Sequence, residues 1–250
     1  MLSLPRRTVA AMCGRYASTR SSADLAGLFD AVDDTDGAWS AGWNVAPTDR
    51  VPVVRRSRSA DARVIDMARW GLVPPWSKDP SSGARMINAR SETVATSRVY
   101  RVPFSRKRCL VPADGWYEWR RLPGGGKQPY FMTPADGTVL TFAGLWESWG
   151  RGEERLLTFS VLTTEAVGRF ERVHDRMPLI VPAERRAGWL GEEEPVVDLL
   201  TPPASSLLAE LDIRPVSRAV GNVNNDGPAL VEPVPEPEER AAGTDRITLF

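Results

Sequence analysis

Apolar residues alternate with polar ones along several stretches of this chain, and a two-residue period is typical of β-strands. These stretches end at glycine, proline or aspartate residues that favour turns, and they span residues 51–67, 108–119, 130–149 and 156–164. The segments LPGGGKQP at 122–129 and ADG at 135–137 match a hairpin-like loop and a tight turn. The pattern therefore predicts a fold made mainly of strands.

Helical spacing is limited to short segments. SADLAGLF at 22–29 predicts an amphipathic helix with a polar N-cap, and residues 183–190 and 203–211 predict two more short helices. We find no internal repeat and no long linker, and the stretch from 234 to about 245 is rich in proline and glutamate. We therefore expect a single α+β domain, predominantly β, that ends in a loose tail.

The composition is that of an ordinary globular domain, with 42% hydrophobic and 26% charged residues among 250. No apolar run approaches the roughly 20 residues that a membrane-spanning helix needs. The apolar stretch after Arg6 and Arg7 runs only from Val9 to Met12, too short for an export signal. Two cysteines suggest no disulfide framework, so we expect a cytoplasmic protein.

The formal net charge is zero, but the two halves of the chain differ in sign. Residues 1–130 carry 21 basic and 12 acidic side chains, whereas residues 131–250 carry 11 and 20. Nine of the basic residues fall within 85–121: Arg85, Arg90, Arg98, Arg101, Arg106, Lys107, Arg108, Arg120 and Arg121. This asymmetry fits either a surface that binds a polyanion or an ordinary solvated basic surface.

The reactive side chains narrow the possible chemistry. His174 is the only histidine, and neither Cys13 nor Cys109 lies in a CxxC motif, so the sequence predicts no metal site. The chain also has no GxSxG motif, which argues against a serine hydrolase. A cysteine nucleophile remains, assisted by His174 and by a carboxylate or an amide.

Each candidate also has an ordinary structural explanation. A lone histidine such as His174, here in a loop before a strand, is more often a structural hydrogen-bonding group than a catalyst. Glu118, in GWYEW, is either a salt-bridge partner or a functional group with a perturbed pKa. Asn88 could cap a helix that begins near Ser91, and Cys109 is expected to be a buried strand residue.

Seven motifs, in order along the chain, together resemble the SRAP family, the SOS-response-associated peptidases that process abasic sites in DNA. They are MCGRY (12–16), WNVAPT (43–48), WGLVPPW (70–76), INARSET (87–93), RCLVPADGWYEW (108–119), FAGLW (142–146) and VHDRMPLIV (173–181). The resemblance covers about residues 12–233 and includes SRAVGNVNNDGP near the end. It implies a single domain of coiled β-sheets with a barrel-like core and short peripheral helices.

The resemblance implies that Cys13 becomes the first residue and attacks the aldehyde of an abasic deoxyribose in single-stranded DNA. An α-amine has a pKa of about 7.7–8.0, so much of it is nucleophilic near neutral pH. The amine would form a Schiff base, and the neighbouring thiol would then close a five-membered thiazolidine. An internal cysteine lacks that amine. The resemblance also implies self-cleavage by an autopeptidase activity and a weak lyase activity.

The family's residue roles can be carried over to matching positions. Asn88 would contact the ring-opened sugar, Glu118 would hydrogen-bond the α-amine and move protons, and His174 would act as general acid–base on the sugar oxygens. Seven further residues are implied to contact DNA: Arg15, Arg90 and Arg176 at phosphates, Trp70, Trp76 and Trp119 by stacking on bases, and Thr163 near the site.

The start of the chain departs from the family, in which the cysteine usually follows the initiator methionine directly. Here MLSLPRRTVAA precedes Met12, so residues 1–12 are either a leader removed by self-cleavage or the result of a start assigned too far upstream. We favour a true start at Met12, after which methionine aminopeptidase would remove the methionine because cysteine is small. The predicted organisation is then 1–12 removed, 13–233 as the domain and 234–250 as the tail.

Two other functions stay open at this point. A cysteine peptidase acting on other proteins would use Cys13, His174 and Asn88, and it would need a peptide groove. A non-covalent reader of single-stranded or modified DNA would make Cys13 incidental. For the favoured function we expect a monomer whose partner is single-stranded DNA with abasic sites, and we expect no cofactor, metal or membrane.

Overall fold

The structure, a computed structural model, describes residues 13–57, 60–191 and 197–237. The predicted leader, residues 1–12, and the tail beyond residue 237 lie outside this part. The described residues form thirteen strands: β1 (Arg15–Ser18), β2 (Ala31–Asp33), β3 (Gly42–Val45), β4 (Arg50–Arg56), β5 (Arg63–Trp70), β6 (Asn88–Arg90), β7 (Arg108–Ala113), β8 (Gly115–Arg121), β9 (Lys127–Pro134), β10 (Leu140–Trp149), β11 (Leu156–Glu165), β12 (Arg176–Pro178) and β13 (Leu211–Pro215).

The helices are few and short, as the sequence predicts. They are α1 (Ser22–Phe29), α2 (Arg101–Arg106), α3 (Arg186–Leu190) and α4 (Ser205–Ala209), and short 3-10 helices occur elsewhere in the described residues. The Ser21 side chain caps α1 by accepting from the amide of Asp24, which confirms the predicted polar N-cap. The predicted helix at 203–211 is too long, because Leu211 already begins β13.

Five of the strands close into a ring. Going round it, β5 pairs with β4, β4 with β7, β7 with β10 and β10 with β11, all antiparallel. The ring closes where β11 returns to β5 in parallel, with Thr158 opposite Arg69 and Phe159 opposite Trp70. Strands β6 and β12 attach to β11, and β2 attaches to β5. The predicted α+β, mainly β fold with a barrel-like core is therefore confirmed.

A second sheet of five strands lies against the ring in the order β13–β9–β8–β1–β3. Only Asp114 separates β7 of the ring from β8 of this sheet, so the chain passes directly from one to the other. The largest core cluster contains residues of both sheets, including Val111 and Phe142 of the ring and Trp116 and Tyr130 of the second sheet. The two sheets therefore share one core.

A contact between two glycines fixes the chain just before β6. A Cβ atom on Gly83 would collide with the carbonyl oxygen of Gly71, and one on Gly71 would lie 2.5 Å from the carbonyl oxygen of Gly83. This close approach lets the amide of Leu72 donate to the carbonyl of Met86 at 3.0 Å, which positions the segment that leads into Asn88. Gly71 also has a φ of 123°, which other residues rarely adopt.

Residues 233 and 234, where the predicted tail begins, contact the end of β13 and the residue after it. Val216 forms a bridge with Pro233, and the amide of Val234 donates to the carbonyl of Pro215 at 2.9 Å. The first residue of the predicted tail is thus hydrogen-bonded to the end of β13, and the predicted domain boundaries stay predictions. In the part of the chain that the structure describes, no helix is long and apolar enough to cross a membrane.

We predict that Gly83→Ala lowers the free energy of unfolding by about 1–3 kcal/mol, the usual range for overpacking a tight core. The matched control is Gly27→Ala in the exposed face of α1, where a Cβ meets nothing within 4 Å. That substitution should raise the free energy of unfolding by about 0.4–1 kcal/mol. Urea unfolding followed by tryptophan fluorescence measures both. Equal stability of the two variants would contradict the glycine contact.

Candidate active site

Cys13 lies where the chain enters β1, and pairing of β1 with β8 brings it to Glu118. The register sets Arg15 opposite Tyr117, so the residues before Arg15 run alongside the residues after Tyr117. The main-chain nitrogen of Cys13 donates to Glu118 Oε1 at 2.6 Å. Both residues are buried, with 4% of Cys13 and 1% of Glu118 exposed. The carboxylate therefore binds the backbone of residue 13 directly.

Asn88 approaches Cys13 from the other sheet. It is the first residue of β6, which runs parallel to β11 with Asn88 opposite Val161. The side-chain amide of Asn88 donates to the carbonyl oxygen of Cys13 at 3.4 Å, and the Tyr100 hydroxyl donates to the carbonyl of Asn88 at 3.1 Å. Asn88 therefore begins a strand, and the alternative in which it caps a helix is wrong.

Burial controls the protonation of the Cys13–Glu118 pair. Burial raises the pKa of the Glu118 carboxyl, and the charge of His174 and hydrogen bonds from Cys13 oppose that rise only in part. Burial also raises the pKa of the Cys13 thiol well above its ordinary value, and the charge and hydrogen bond of Glu118 raise it further. The thiol is therefore neutral at pH 7 in this state, and the carboxyl holds a proton more readily than an exposed glutamate.

The Nδ1 atom of His174 has two polar contacts. Its Nδ1 lies 3.1 Å from the amide nitrogen of Arg176, which requires an unprotonated Nδ1 that accepts. The same Nδ1 lies 3.0 Å from Asp175 Oδ1, a contact that favours a protonated Nδ1. The two contacts therefore compete for the same ring nitrogen. As predicted, the residue sits in the loop before a strand, here β12.

The Arg176 side chain already binds other residues of the protein. Its guanidinium binds Glu92 with two contacts, at 2.6 Å and 3.0 Å, and it donates to the carbonyl of Thr163 at 2.6 Å. Only 9% of the Arg176 side chain is exposed. Its charge lowers the pKa of the nearby Cys13 thiol, although burial and Glu118 outweigh it. A phosphate would therefore have to displace Glu92, so Arg176 in this structure first connects β12 to β11 and to Glu92, two residues beyond β6.

The other predicted phosphate contacts differ in exposure. Arg90 is exposed at the end of β6, opposite Thr163 of β11. Arg15 is half-buried and donates to the carbonyl of Gly14 at 2.9 Å. The hydroxyl of Thr163 is buried 3.3 Å from the Arg176 guanidinium. Their contacts with DNA stay predictions.

The three tryptophans proposed for base stacking fall in three environments. Trp70 lies in the core with its ring stacked on Phe159 and against the edge of Tyr16, and its N–H donates to the carbonyl of Ile87. It has no free face for a base, so its predicted stacking role is wrong. Trp76 is 59% exposed and Trp119 is partly buried, and for both the prediction stands untested.

Two residues of the site were missed at the level of sequence. Glu92 lies within the motif INARSET, and Tyr100 lies seven residues beyond the end of that motif. Each acts through another residue, Glu92 through Arg176 and Tyr100 through Asn88. In the described part of the chain, no group of three His, Cys, Asp or Glu side chains converges as a metal site would need.

The fold and the site together define a mainly β domain in which a carboxylate and an amide hold the backbone of one cysteine. The chain belongs to the SRAP family: the family model, described as SOS response associated peptidase (SRAP), matches residues 12–223.

Named relatives span nearly the whole domain. The chain is 34% identical to abasic site processing protein YoqW of Bacillus subtilis over 88% of this chain and 99% of that one. It is 33% identical to YedK of Escherichia coli, over 89% and 100% of the two chains. It is 32% identical to HMCES of Gallus gallus, over 89% and 78%. Both of these relatives also carry the name abasic site processing protein.

Solved structures support the fold. A protein from Bacteroides thetaiotaomicron superposes with a TM-score of 0.77 and 24% identity, over 89% of this chain and all of the other. A phage-related protein from Bordetella bronchiseptica gives a TM-score of 0.64 and 29% identity, over 82% and 95% of the two chains.

We predict that Glu92→Gln lowers the free energy of unfolding at pH 7 by about 1–3 kcal/mol, because it leaves the buried Arg176 without a charged partner. Partial burial alone would raise the pKa of Glu92, but hydrogen bonds from Arg176 hold it below its ordinary value. The stabilisation is therefore present above the pKa of an unfolded glutamate, about 4.3, and is lost as the pH falls through the lowered folded value.

The measurement is urea unfolding between pH 3 and pH 7. Glu92→Gln should show a smaller loss of stability towards low pH than the wild type. Glu210→Gln, which removes an exposed carboxylate after α4, is the matched control and should keep the wild-type slope. An unchanged slope in Glu92→Gln would show that the ion pair with Arg176 contributes nothing.

Proposed function

We propose that this protein processes abasic sites in single-stranded DNA by forming a covalent bond through Cys13 as the first residue of the mature chain. One observation carries the proposal: Glu118 binds the main-chain nitrogen of Cys13 at 2.6 Å and also interacts with its thiol. Amine and thiol on one residue are the two groups that capture an aldehyde as a thiazolidine. The family membership and the names of the relatives support the same substrate.

The chemistry proceeds in two steps once residue 13 has a free α-amine. The amine adds to the aldehyde of the ring-opened sugar and water leaves, which gives an imine. The thiol then adds across the C=N bond, so that a C–S bond forms and the thiol proton passes to nitrogen. Glu118, with its raised pKa, accepts and returns these protons at neutral pH. His174 exchanges protons with the sugar oxygens, and Asn88 holds the sugar near Cys13.

Backbone strain at residue 13 supports a chain that begins there. Cys13 has a φ of 41°, in the left-handed region that a residue with a Cβ avoids at a cost of roughly 1–3 kcal/mol. The φ angle exists only while residue 12 is attached. Cleavage before Cys13 therefore removes the strained torsion, as well as freeing the amine beside Glu118. Either a start at Met12 followed by methionine removal or self-cleavage of residues 1–12 gives this chain end.

The protonation of Cys13 argues against the alternative of a general cysteine peptidase. Such enzymes use a thiolate, which a nearby histidine or positive field stabilises. Here burial and Glu118 raise the thiol pKa. A non-covalent reader of DNA is less well supported, because it gives no reason for two side chains to hold the backbone of Cys13. We place weak lyase activity, a monomeric state and action in the cytoplasm within the same proposal.

We expect the chain that begins at Cys13 to form a gel-stable adduct with a single-stranded oligonucleotide containing one abasic site. Cys13→Ser should abolish the adduct, and Cys109→Ala should not, because Cys109 lies buried in β7. His174→Ala should slow adduct formation by about 10²-fold or more, the usual contribution of general acid–base catalysis. Denaturing gels over a time course measure all three. An adduct that survives Cys13→Ser would overturn the proposal.

We expect the chain that begins at Met1 to lose residues 1–12 by its own activity, or else to form no stable adduct while they remain attached. If self-cleavage occurs, Glu118→Gln should retain the leader, because the neutral amide cannot deliver the proton that the Cys13 nitrogen must gain when its bond to Met12 breaks. Intact-protein mass spectrometry reports the leader, with Glu210→Gln as the control for loss of a carboxylate. Complete leader removal in Glu118→Gln would exclude Glu118 from this step.

A further inference from the structure

The chain after β13 returns to the second sheet and follows it as an extended segment, residues 233–236. Pro233 bridges to Val216, and the amide of Val234 donates to the carbonyl of Pro215. Proline at 233, 235 and 237 restricts the backbone on both sides of Glu236. This segment lies outside the region matched by the family model, which ends at residue 223.

Glu236 ends this segment in a cationic site. The Tyr130 hydroxyl donates to Glu236 Oε1, and Arg120 Nη2 lies 3.2 Å from the same oxygen. The Arg120 guanidinium also lies over the Tyr130 ring, 5.1 Å from its centre. The Arg120 side chain is 17% exposed and that of Glu236 is 57% exposed, so the donors belong to the folded sheet and the carboxylate comes from outside.

The cationic site lies next to the candidate active site. Tyr130 of β9 is directly opposite Glu118 of β8, so their side chains share one face of the sheet. Arg120 is two residues beyond Glu118 in the same strand, which places it on the same face. The charge of Arg172 also acts on Tyr130, and Arg172 is two residues before His174.

We propose that Arg120 and the Tyr130 hydroxyl form a subsite for a backbone phosphate of the bound DNA strand, and that Glu236 occupies this subsite in the free protein. The C-terminal segment then competes with DNA. This inference rests on the proposed function, because it assumes a DNA strand that reaches Cys13.

The chemistry of the donors fits both occupants. A guanidinium and a hydroxyl donate to a carboxylate oxygen and to a phosphate oxygen alike, and each ligand carries the negative charge that Arg120 requires. An ion pair with a largely exposed carboxylate is weak, so Glu236 can leave easily. Single-stranded DNA gains in addition from the release of counterions, which lets it displace Glu236 at moderate salt.

The test measures binding of the chain that begins at Cys13 to a single-stranded oligonucleotide whose abasic sugar is chemically reduced and cannot react. Fluorescence anisotropy over a series of salt concentrations gives Kd for each variant. Glu236→Gln should bind about 2–5-fold more tightly than the wild type, in line with loss of an exposed ion pair. Glu232→Gln removes an exposed carboxylate just before this segment; it is the matched control and should change Kd less than this.

Variants of Arg120 and Tyr130 test the other side of the proposed contact. Arg120→Gln should weaken binding about 3–10-fold and reduce the slope of log Kd against log salt by about 0.7, the value for one phosphate contact on a single strand. Tyr130→Phe keeps the ring under Arg120 and should weaken binding by a smaller factor. In the double variant of Arg120→Gln and Glu236→Gln, the gain from Glu236→Gln should disappear, because the shared site is gone.

Two results would overturn the inference: Glu236→Gln binding no tighter than the wild type, or a gain from Glu236→Gln that persists without Arg120. Thermal melts show whether each variant is folded, so that a change in Kd is not mistaken for misfolding. The adduct assay on reactive abasic DNA separates them from failure of the proposed function. If the wild type forms the adduct and Glu236 has no effect on binding, only this inference fails, whereas absence of both adduct and DNA binding refutes both.

Discussion

The parallel pairing of β11 with β5 is the constraint on which the rest of the structure depends. It closes the five-stranded ring, and it leaves the far part of β11 to pair with β6 on one side and β12 on the other. Asn88 begins β6 and Arg176 begins β12, so both residues take their positions from the same strand. A site assembled around one central strand keeps its geometry as long as the ring stays closed.

The site concentrates polar contacts on the backbone of Cys13, and this explains its chemistry. Burying a charged carboxylate costs free energy. Glu118 tolerates burial because Cys13 donates to it and the charge of His174 lies nearby. The same burial that raises its pKa makes it a useful proton carrier near neutral pH. The second sheet supplies this carboxylate, and the segments attached to β11 of the ring supply the amide and the histidine. Chemistry at Cys13 therefore requires the two sheets to stay docked on their shared core.

Much of this arrangement could be predicted from sequence. Alternation located the strands, because side chains of a half-buried strand must alternate, and Ser21 marked the start of α1. The seven motifs pointed to Cys13, Asn88, Glu118 and His174, three of which the structure links by hydrogen bonds around Cys13. The stretch 51–67 contains two antiparallel strands, β4 and β5, and the mostly polar sequence SRSADA at 57–62 separates them.

The wrong predictions share a physical cause. Trp70 and Trp76 stand at the two ends of one motif, WGLVPPW, and their sequence surroundings are similar. The Trp70 side chain is packed in the core, whereas the Trp76 side chain is exposed. Only the packing decides which of them meets solvent. The anchor role of Arg176 escaped for the same reason, because its partner Glu92 is 84 residues away along the chain. Contacts that depend on ring closure leave no local pattern in the sequence.

The fixed loop between β5 and β6 has a consequence for the entropy of binding. The contact between Gly71 and Gly83 holds the beginning of this loop. Directly after Trp76, the Trp149 indole donates to the carbonyl of Ser77 at 2.8 Å. Trp76 therefore projects from a loop whose backbone is already ordered. A flexible loop would lose roughly 1–2 kcal/mol of backbone entropy per residue on binding, and a loop held in this way has lost most of that freedom during folding. A partner that contacts the Trp76 ring would therefore cost little further backbone entropy in this loop.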